Sequence, residues 1–385
     1  MSEWKKVKLG DLLEEYCERN TNNEYTAVAI GKYGIRKRED IYTKELSKDI
    51  SKNKIIMKNT LTIGMGSNQI DIGILTDDCK FCVSPAYTTY KIKKCNSKFL
   101  EYYMEYLNPK LSDLFMIVSA RQGKSVDKEG LLKYEVMLPP IGEQEKIVEI
   151  LKTIDSIIEK YKSLLEEKNK FIKSQFVEMF INSDESKKWN KIRLKDVCKM
   201  NPTKKEMTLD DGDLISFIPM ANVSENGEID VSNIRKVEEV KKGFTYFAEN
   251  DVLFAKITPC MENGKGAVAK GLKNKVGFGT TEFHVIRPTE VINSIWIYTL
   301  FSLKEFRKKA ESNMTGSAGQ KRVPISFIEN YKINLPPIEL QNKFASFVEQ
   351  IDKQEVELEK LITNYKALKK GLMQQLLTGK VRVKI

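Results

Sequence analysis

The chain has 385 residues, 41% of them hydrophobic, and its 64 Lys and Arg against 53 Asp and Glu give a net charge of +11. This length predicts two or more domains, and the basic balance favours an anionic partner. Six cysteines are too few for a disulfide scaffold, no apolar run is long enough to span a membrane, and the first residues lack the apolar segment of a signal peptide. We therefore expect a cytoplasmic protein.

The sequence contains one pattern twice. It opens with Trp-Lys-Lys-Val-Lys-Leu from Trp4, and Trp-Asn-Lys-Ile-Arg-Leu follows from Trp189. A later Leu-Pro-Pro-Ile begins at Leu138 and recurs at Leu335. The two offsets are 185 (189 minus 4) and 197 (335 minus 138), so the second half carries a net insertion of 12 residues. This duplication predicts two homologous tandem units.

Short β-branched runs separated by Gly, Asn and Asp follow each opening and predict strands. They occupy residues 25–31, 54–64, 70–75 and 86–92 in the first half, and residues 214–218, 251–257, 266–269 and 281–287 in the second. Each half then becomes helical, at residues 98–114 and 291–309, and ends in a strand at residues 134–138 and 331–335. Each half is thus predicted to be a mixed α+β globule.

A long helix is predicted after each Leu-Pro-Pro, because the prolines favour an extended backbone before it. Residues 143–180 contain no Gly or Pro, and their apolar residues recur at steps of three and four, a pattern typical of a coiled coil. The predicted pairing residues are Ile147, Leu151, Ile154, Ile158, Tyr161 and Leu165 in the first helix and Phe344, Val348, Ile351, Leu358, Ile362 and Leu372 in the second.

These patterns give the predicted domain boundaries. Residues 1–139 and 189–336 are the two globular domains, residues 140–181 and 337–378 are the long helices, residues 182–188 are a polar linker and residues 379–385 are a C-terminal tail.

No spacing in the sequence selects a catalytic or metal site. Gly123-Lys124-Ser125 lacks the glycine that a nucleotide-binding loop needs five residues before Gly123, where Val118 stands. The Pro-Pro pairs follow Leu, so the Asn/Asp-Pro-Pro-aromatic tetrad of base methylation is absent. We expect no catalysis by this chain itself.

The cysteines and the single histidine also favour structural roles. Cys79 and Cys82 form a CxxC, with Cys17 and Cys95 further away, but the second close pair of a zinc ribbon or finger is missing. Partly buried thiols are the favoured interpretation over structural zinc. His284 lies in an alternating strand pattern, so we expect a strand residue rather than a DNA contact or a catalyst.

Basic side chains in Gly-, Ser- and Asn-rich loops remain as the functional candidates. Lys, Ser and Thr can neutralise phosphate, whereas Arg, Gln and Asn can pair with guanine or adenine edges. Solvated loops are the alternative interpretation. The candidate DNA-binding residues are Lys32, Tyr33, Arg36, Lys37, Arg38, Ser67, Asn68, Gln69, Arg121, Gln122 and Lys124 in the first half, and Lys204, Lys205, Lys256, Thr258, Asn263, Lys265, Ser317, Gln320, Lys321 and Arg322 in the second. The loops at 121–124 and 320–322 are favoured because they recur at the same place.

Taken together, the duplication, both Leu-Pro-Pro helices, residues 256–264 followed by 281–284, and the ending Leu-Leu-Thr-Gly-Lys-Val from Leu376 resemble the specificity subunit of type I restriction–modification systems. The resemblance covers essentially the whole chain. It implies two target-recognition domains, each reading half of a split, asymmetric DNA site. It further implies that the two long helices pair as an antiparallel coiled coil with pseudo-twofold symmetry, which would act as a spacer between the half-sites.

The same resemblance implies a non-catalytic chain that binds no cofactor or metal directly. Its partners would be double-stranded DNA, two methyltransferase (modification) subunits that use S-adenosylmethionine, and restriction subunits that use ATP and Mg. Two other functions stay open on the sequence. One is a coiled-coil protein adaptor without sequence-specific DNA binding, and the other is a self-sufficient DNA-modifying enzyme with an unrecognised site.

Overall fold

The computed structural model describes residues 3–31, 34–41, 49–66, 68–119, 123–317 and 320–384. The chain divides into two compact units: the first comprises Met1–Tyr161 with Lys360–Ile385, and the second comprises Lys162–Glu359. The division falls within both long helices, so each unit contains a stretch of each helix. The predicted mixed α+β fold with two long helices is confirmed.

A four-stranded antiparallel sheet, ordered β2-β9-β6-β7, lies at the centre of the first unit. The elements are β1 (Lys5–Lys8), β2 (Leu13–Glu15), β3 (Val28–Gly31), β4 (Gly34–Lys37), β5 (Lys54–Met57), β6 (Thr60–Met65), β7 (Ile70–Leu75), β8 (Lys80–Val83), β9 (Thr88–Ile92), α1 (Ser97–Phe115), β10 (Met116–Ser119), β11 (Gly123–Val126), α2 (Lys128–Lys133), β12 (Glu135–Leu138) and α3 (Ile141–Val177). The first strand pairs with the last, β1 with β12, which closes the globule.

The second unit repeats this plan. Its elements are β13 (Lys191–Arg193), β14 (Cys198–Met200), β15 (Leu214–Ile218), β16 (Ile234–Lys236), α4 (Val237–Val240), β17 (Thr245–Ala248), β18 (Val252–Ala255), β19 (Gly266–Val268), β20 (Val276–Gly279), β21 (Phe283–Pro288), α5 (Ser294–Ser302), α6 (Lys304–Ser312), α7 (Ile325–Asn330), β22 (Lys332–Asn334) and α8 (Ile338–Leu376). The sheet β14-β21-β18-β19 corresponds to that of the first unit, and β13 pairs with β22 as β1 does with β12. The second sheet has the order β16-β15-β20-β17, and it also has a counterpart in the first unit, where β3 pairs with β4, β5 pairs with β8, and Ala27 beside β3 bridges Cys82 of β8 in parallel.

Two predicted elements are divided in the structure. The helix expected over residues 291–309 is wrong as a single element, because Leu303 adopts an extended backbone and separates α5 from α6. The strand expected over residues 54–64 is two strands, β5 and β6, with a turn at Asn59, whose φ is 65°. A left-handed residue of this kind breaks the strand, and asparagine tolerates that conformation better than most residues.

Within each unit the two long helices run antiparallel. In the first unit, Asp155 lies 2.9 Å from Lys369, and the rings of Tyr161 and Tyr365 are 5.9 Å apart. Residue numbers therefore fall on α8 as they rise on α3. The second unit shows the same direction, with ring-to-ring distances of 5.9 Å for Phe171 with Phe347 and 5.4 Å for Phe176 with Phe344. The predicted pairing residues are all buried or half-buried: Ile147, Leu151, Ile154, Ile158, Phe344 and Ile362 are buried, and Tyr161, Leu165, Val348, Ile351, Leu358 and Leu372 are half-buried.

A buried glutamine holds each Leu-Pro-Pro turn. Gln144 Nε2 donates to the Pro139 carbonyl at 2.8 Å, and its Oε1 accepts from the Asn96 backbone N–H at 2.8 Å. Gln341 repeats both bonds, to the carbonyl of the second turn at 2.8 Å and from the Asn293 N–H at 2.9 Å. Asn96 and Asn293 are the N-caps of α1 and α5. These glutamines fix the start of each long helix against the globule that precedes it.

The segments that flank the long helices are also held by side chains. The predicted linker contains a short 3-10 turn, Asp184–Lys188, after a π-helical turn, Glu178–Asn182. The tail lies in the first unit, where Arg382 donates to the buried carboxylate of Glu143 at 2.7 and 2.8 Å. Trp4 Nε1 donates to the same carboxylate at 3.1 Å.

Candidate nucleic-acid interface

Four lysines of the second unit line one cleft of about 520 Å³, the lysine cleft: Lys204, Lys241, Lys242 and Lys256. Lys204 lies in a 3-10 turn after β14, Lys241 and Lys242 follow α4, and Lys256 follows β18. Lys204 Nζ donates to the Lys241 carbonyl at 2.7 Å, which joins two sides of the cleft. Of the predicted residues, Lys204 and Lys256 are thus brought together here, and Lys205 is exposed beside them.

Lys256 is half-buried, and its environment favours an anion. Burial lowers the pKa of Lys256, the nearby Glu282 opposes this, and Arg322 adds to it. Among the described residues, no acceptor lies within hydrogen-bonding distance of Lys256 Nζ. Because a partly buried ammonium without a fixed counter-ion is costly, a phosphate oxygen at this position would be stabilising.

Two antiparallel segments, residues 315–317 and 320–323, lie next to the cleft and are called the 315–323 hairpin. Thr315 and Arg322 exchange backbone hydrogen bonds of 2.9 Å in both directions. The hairpin is also attached to the strand end beside it, since Thr258 N–H donates to the Lys321 carbonyl at 3.0 Å and Val323 N–H donates to the Lys256 carbonyl at 2.9 Å. Three predicted residues lie exposed on this hairpin: Ser317, Gln320 and Lys321.

Arg322, also predicted as a DNA contact, is committed to another residue. Its Nε and Nη2 donate to the two carboxylate oxygens of Glu282 at 2.9 and 2.7 Å, and its Nη1 donates to the Gln320 carbonyl at 3.2 Å. The hydrogen bond to Arg322 lowers the pKa of Glu282, and the same pair raises the pKa of Arg322. Its guanidinium therefore stabilises the hairpin, whereas the side chains of Gln320 and Lys321 are exposed.

The loop of residues 256–265 supplies the other predicted contacts. Thr258 Oγ1 donates to Glu262 at 2.8 Å, and Lys265 Nζ donates to the Met220 carbonyl at 3.1 Å. Asn263 is exposed. Thr258 and Lys265 therefore shape the loop, and Asn263 is its most accessible predicted contact.

Sequence reasoning missed Arg307 on α6, whose side chain donates hydrogen bonds to backbone carbonyls of this loop. Its guanidinium is buried and donates to the carbonyls of Phe301 at 2.6 Å, Met261 at 3.0 Å and Gly264 at 3.1 Å. Burial lowers its pKa to about 10. Nothing in the sequence of α6 distinguishes Arg307 from the exposed lysines that follow it.

The first unit places its described candidates on three hairpins. Arg36 and Lys37 lie exposed on β4, and Arg38 begins the 3-10 turn that follows. Asn68 and Gln69 lie at the turn between β6 and β7, and Gln69 shares a cavity of about 440 Å³ with Gly31 at the end of β3 and Gly34 at the start of β4. Lys124 lies on β11, opposite Val118 of β10. At the offset of 197 residues, the β10–β11 hairpin corresponds to the 315–323 hairpin of the second unit. The remaining predicted residues of this unit lie outside the described part of the chain: Lys32, Tyr33, Ser67, Arg121 and Gln122.

The cysteines and the histidine form no second site. The six cysteines are free thiols, and the described residues contain no cluster of three or more metal-ligating side chains. His284 lies on β21 as predicted, buried, with its Nε2 2.8 Å from the Val323 carbonyl. Helices in the described part of the chain are all too short or too polar to cross a membrane.

Comparison with known proteins identifies the family. The type I restriction modification DNA specificity domain matches twice, over residues 1–167 and 186–367. The chain belongs to this family. Each match contains one globule and most of the long helix that follows it, so the family's repeat corresponds to the duplication in the sequence.

Two curated relatives from Escherichia coli are named as specificity subunits of type I restriction enzymes. The chain is 37% identical to the type I restriction enzyme EcoAI specificity subunit over 236 residues, which is 60% of this chain and 33% of that protein. It is 39% identical to the EcoEI specificity subunit over 225 residues, 55% of this chain and 37% of that protein. The matched stretches therefore span only about a third of these relatives.

One solved structure supports the fold. It comes from work on complex assembly and conformational transition of the type I R-M system, and it aligns over 98% of both chains with a TM-score of 0.53 and 15% sequence identity. At this level of identity the likeness concerns the arrangement of secondary structure alone.

Proposed function

We propose that this chain is the sequence-specific DNA-binding subunit of a type I restriction–modification complex in the cytoplasm. Its two units would each read one half of a bipartite DNA target. The observation that carries the proposal is the lysine cleft beside the exposed 315–323 hairpin, in a chain that belongs to the specificity-domain family. The chain itself would be non-catalytic, with two modification subunits using S-adenosylmethionine and restriction subunits using ATP and Mg.

The lysine cleft suits contacts with DNA phosphates, and the hairpin suits contacts with base edges. Lysines provide charge for phosphates without reading sequence, whereas an exposed glutamine can pair with adenine edges. The corresponding hairpins differ between the units, with Arg-Gln-Gly-Lys at residues 121–124 and Ala-Gly-Gln-Lys at residues 318–321. The two half-sites should therefore differ in sequence.

Methylation mapping tests the proposal directly. DNA is sequenced for modified adenines from cells that express this chain with the methyltransferase encoded beside it. We expect modified adenines in a two-part motif with a fixed gap. Absence of new methylation, with both proteins soluble, would contradict the proposal and favour a protein adaptor. Methylation by this chain alone would show that it is itself an enzyme.

Binding measurements separate the cleft from the hairpin. Replacing Lys241 and Lys242 with Ala should weaken binding to all sequences alike and reduce the salt dependence of log K by about one for each phosphate that is no longer neutralised. Replacing Gln320 with Ala should instead relax the preference at one position of one half-site. Lys187 and Lys188 provide the control, because both are exposed and neither lines the cleft.

A further inference from the structure

Two side chains, one just before β21 and one within it, contact the 315–323 hairpin. Glu282 accepts both hydrogen bonds from Arg322, at 2.9 and 2.7 Å, and His284 Nε2 lies 2.8 Å from the carbonyl of the next hairpin residue, Val323. Glu282 lies in the turn just before β21, and His284 is the second residue of that strand. The two side chains thus hold consecutive residues of the hairpin.

The contacts that Glu282 and His284 make with the hairpin, here called the clamp, extend to Gln320 and Lys321, whose exposed side chains can contact DNA. Arg322 Nη1 also donates to the Gln320 carbonyl at 3.2 Å, and the Lys321 carbonyl accepts from the Thr258 N–H at 3.0 Å. The backbone of both residues is thereby fixed while their side chains stay exposed. A reading side chain held in place before binding avoids the entropy cost of ordering it on DNA.

The first unit has no equivalent ion pair. Residues 84–88, which precede and begin β9 in the first unit, are Ser, Pro, Ala, Tyr and Thr, and Arg322 corresponds to Ser125 at the offset of 197. None of these side chains can form an ion pair at neutral pH. The clamp thus distinguishes the second unit, although both units carry a hairpin at this place.

We propose that Glu282 and His284 are positioning residues for recognition of one half-site, and that Arg322 serves this clamp instead of reading a base. The inference deepens the proposed function and rests on it. It assigns base contact on this hairpin to Gln320 and Lys321, whose side chains are exposed.

The test uses the full chain with its methyltransferase and measures methylation of the mapped site and of sites with one changed base pair. Glu282→Ala and Arg322→Ala should each reduce discrimination in one half-site by about tenfold and leave the other half-site unchanged. Their double variant should lose no more than either single one, because both remove the same pair. Exchanging the two charges, Glu282→Arg with Arg322→Glu, should restore part of the discrimination.

Glu135→Ala is the matched control, because it removes an exposed cross-strand pair with Lys6 in the first unit. It should change discrimination in neither half-site. Loss of discrimination with Arg322→Ala but not with Glu282→Ala would overturn the proposal, since Arg322 would then contact DNA itself. Unchanged discrimination in both variants would overturn it as well.

Hydrogen exchange of the free full chain provides a readout that does not need DNA. Glu282→Ala and His284→Phe, which removes the ring nitrogens at similar size, should speed exchange of the backbone amides of residues 320–323 at least about tenfold. Unchanged exchange would refute the clamp. If the wild-type complex showed no sequence preference, the proposed function would fail, and the exchange result would still decide whether these residues hold the hairpin.

Discussion

His284, the only histidine of the chain, lies in a site that keeps its ring neutral. The side chain is 6% exposed, and burial lowers its pKa to about 4, while the bond to Val323 and the charge of Glu282 oppose this and the charge of Lys256 adds to it. Between the ordinary value of 6.5 and about 4, the unfolded chain binds a proton that the folded chain does not. Stability is therefore lost as the pH falls through this window.

Because the chain has a single histidine, the titration of its ring can be followed by NMR without resonance assignment. The imidazole resonance in NMR spectra should show no titration between pH 7.5 and 5, and a midpoint near 6.5 would contradict the buried neutral ring. Between pH 7 and 5.5 the free energy of unfolding should fall by about 1 kcal/mol. In His284→Phe this part of the pH dependence should disappear.

Arg307 is a buried cation whose described hydrogen bonds all go to backbone carbonyls. Arg307→Met keeps the length of the side chain and leaves those carbonyls without their donor. We expect a loss of about 3 kcal/mol in the free energy of unfolding, measured by chemical denaturation. Lys308→Met, at the exposed neighbouring position, should change it by less than about 0.5 kcal/mol.

For individual residues, the sequence predicts which loops are basic, but it does not show whether a given side chain is available to DNA or stabilises the loop. Gln320 and Arg322 are equal candidates in the sequence, since both are polar residues in one Gly- and Ser-rich loop. The structure separates them through Glu282, which is 40 residues away along the chain. A long-range ion pair of this kind leaves no local pattern.

Among the elements, the long helices are the best predicted because their heptad pattern records one continuous buried stripe. Ile154 lies in that stripe and is 6% exposed, whereas Leu164 on the same helix is 54% exposed. Ile154→Asp should cost about 3–5 kcal/mol, because it buries a charge in an apolar site. Leu164→Asp should cost less than about 0.5 kcal/mol. Equal effects in chemical denaturation would mean that Ile154 does not face the partner helix.

Strand β20 shows why other elements escaped prediction. Its sequence, Val-Gly-Phe-Gly, contains two glycines, which are typical of a turn. A Cβ at Gly277 would lie 2.2 Å from the ring of Phe247 on the neighbouring strand. Glycine is required by that close approach rather than by a turn, and only the three-dimensional neighbour reveals the difference.

For the whole molecule, the duplication predicts two units that each follow the same plan, and the spacer role of the helices stays a prediction. Four residues inserted near Tyr161, with a matching insertion near Leu358, add about 6 Å of helix. We expect the gap between the methylated half-sites to lengthen by about two base pairs. An unchanged gap in the mapped motif would contradict the spacer role. A four-residue insertion in one helix alone is the control, and it should impair helix pairing.

In both units the first strand pairs with the last, with Lys5 opposite Leu138 and Lys191 opposite Asn334. The chain consequently enters and leaves each globule at neighbouring points, as it does in an inserted domain. The globule between its first and last strand can therefore be replaced by another, through recombination or by design, without moving its connections to the long helices. Under the proposed function, such an exchange would change the DNA sequence that is read while the long helices stayed the same.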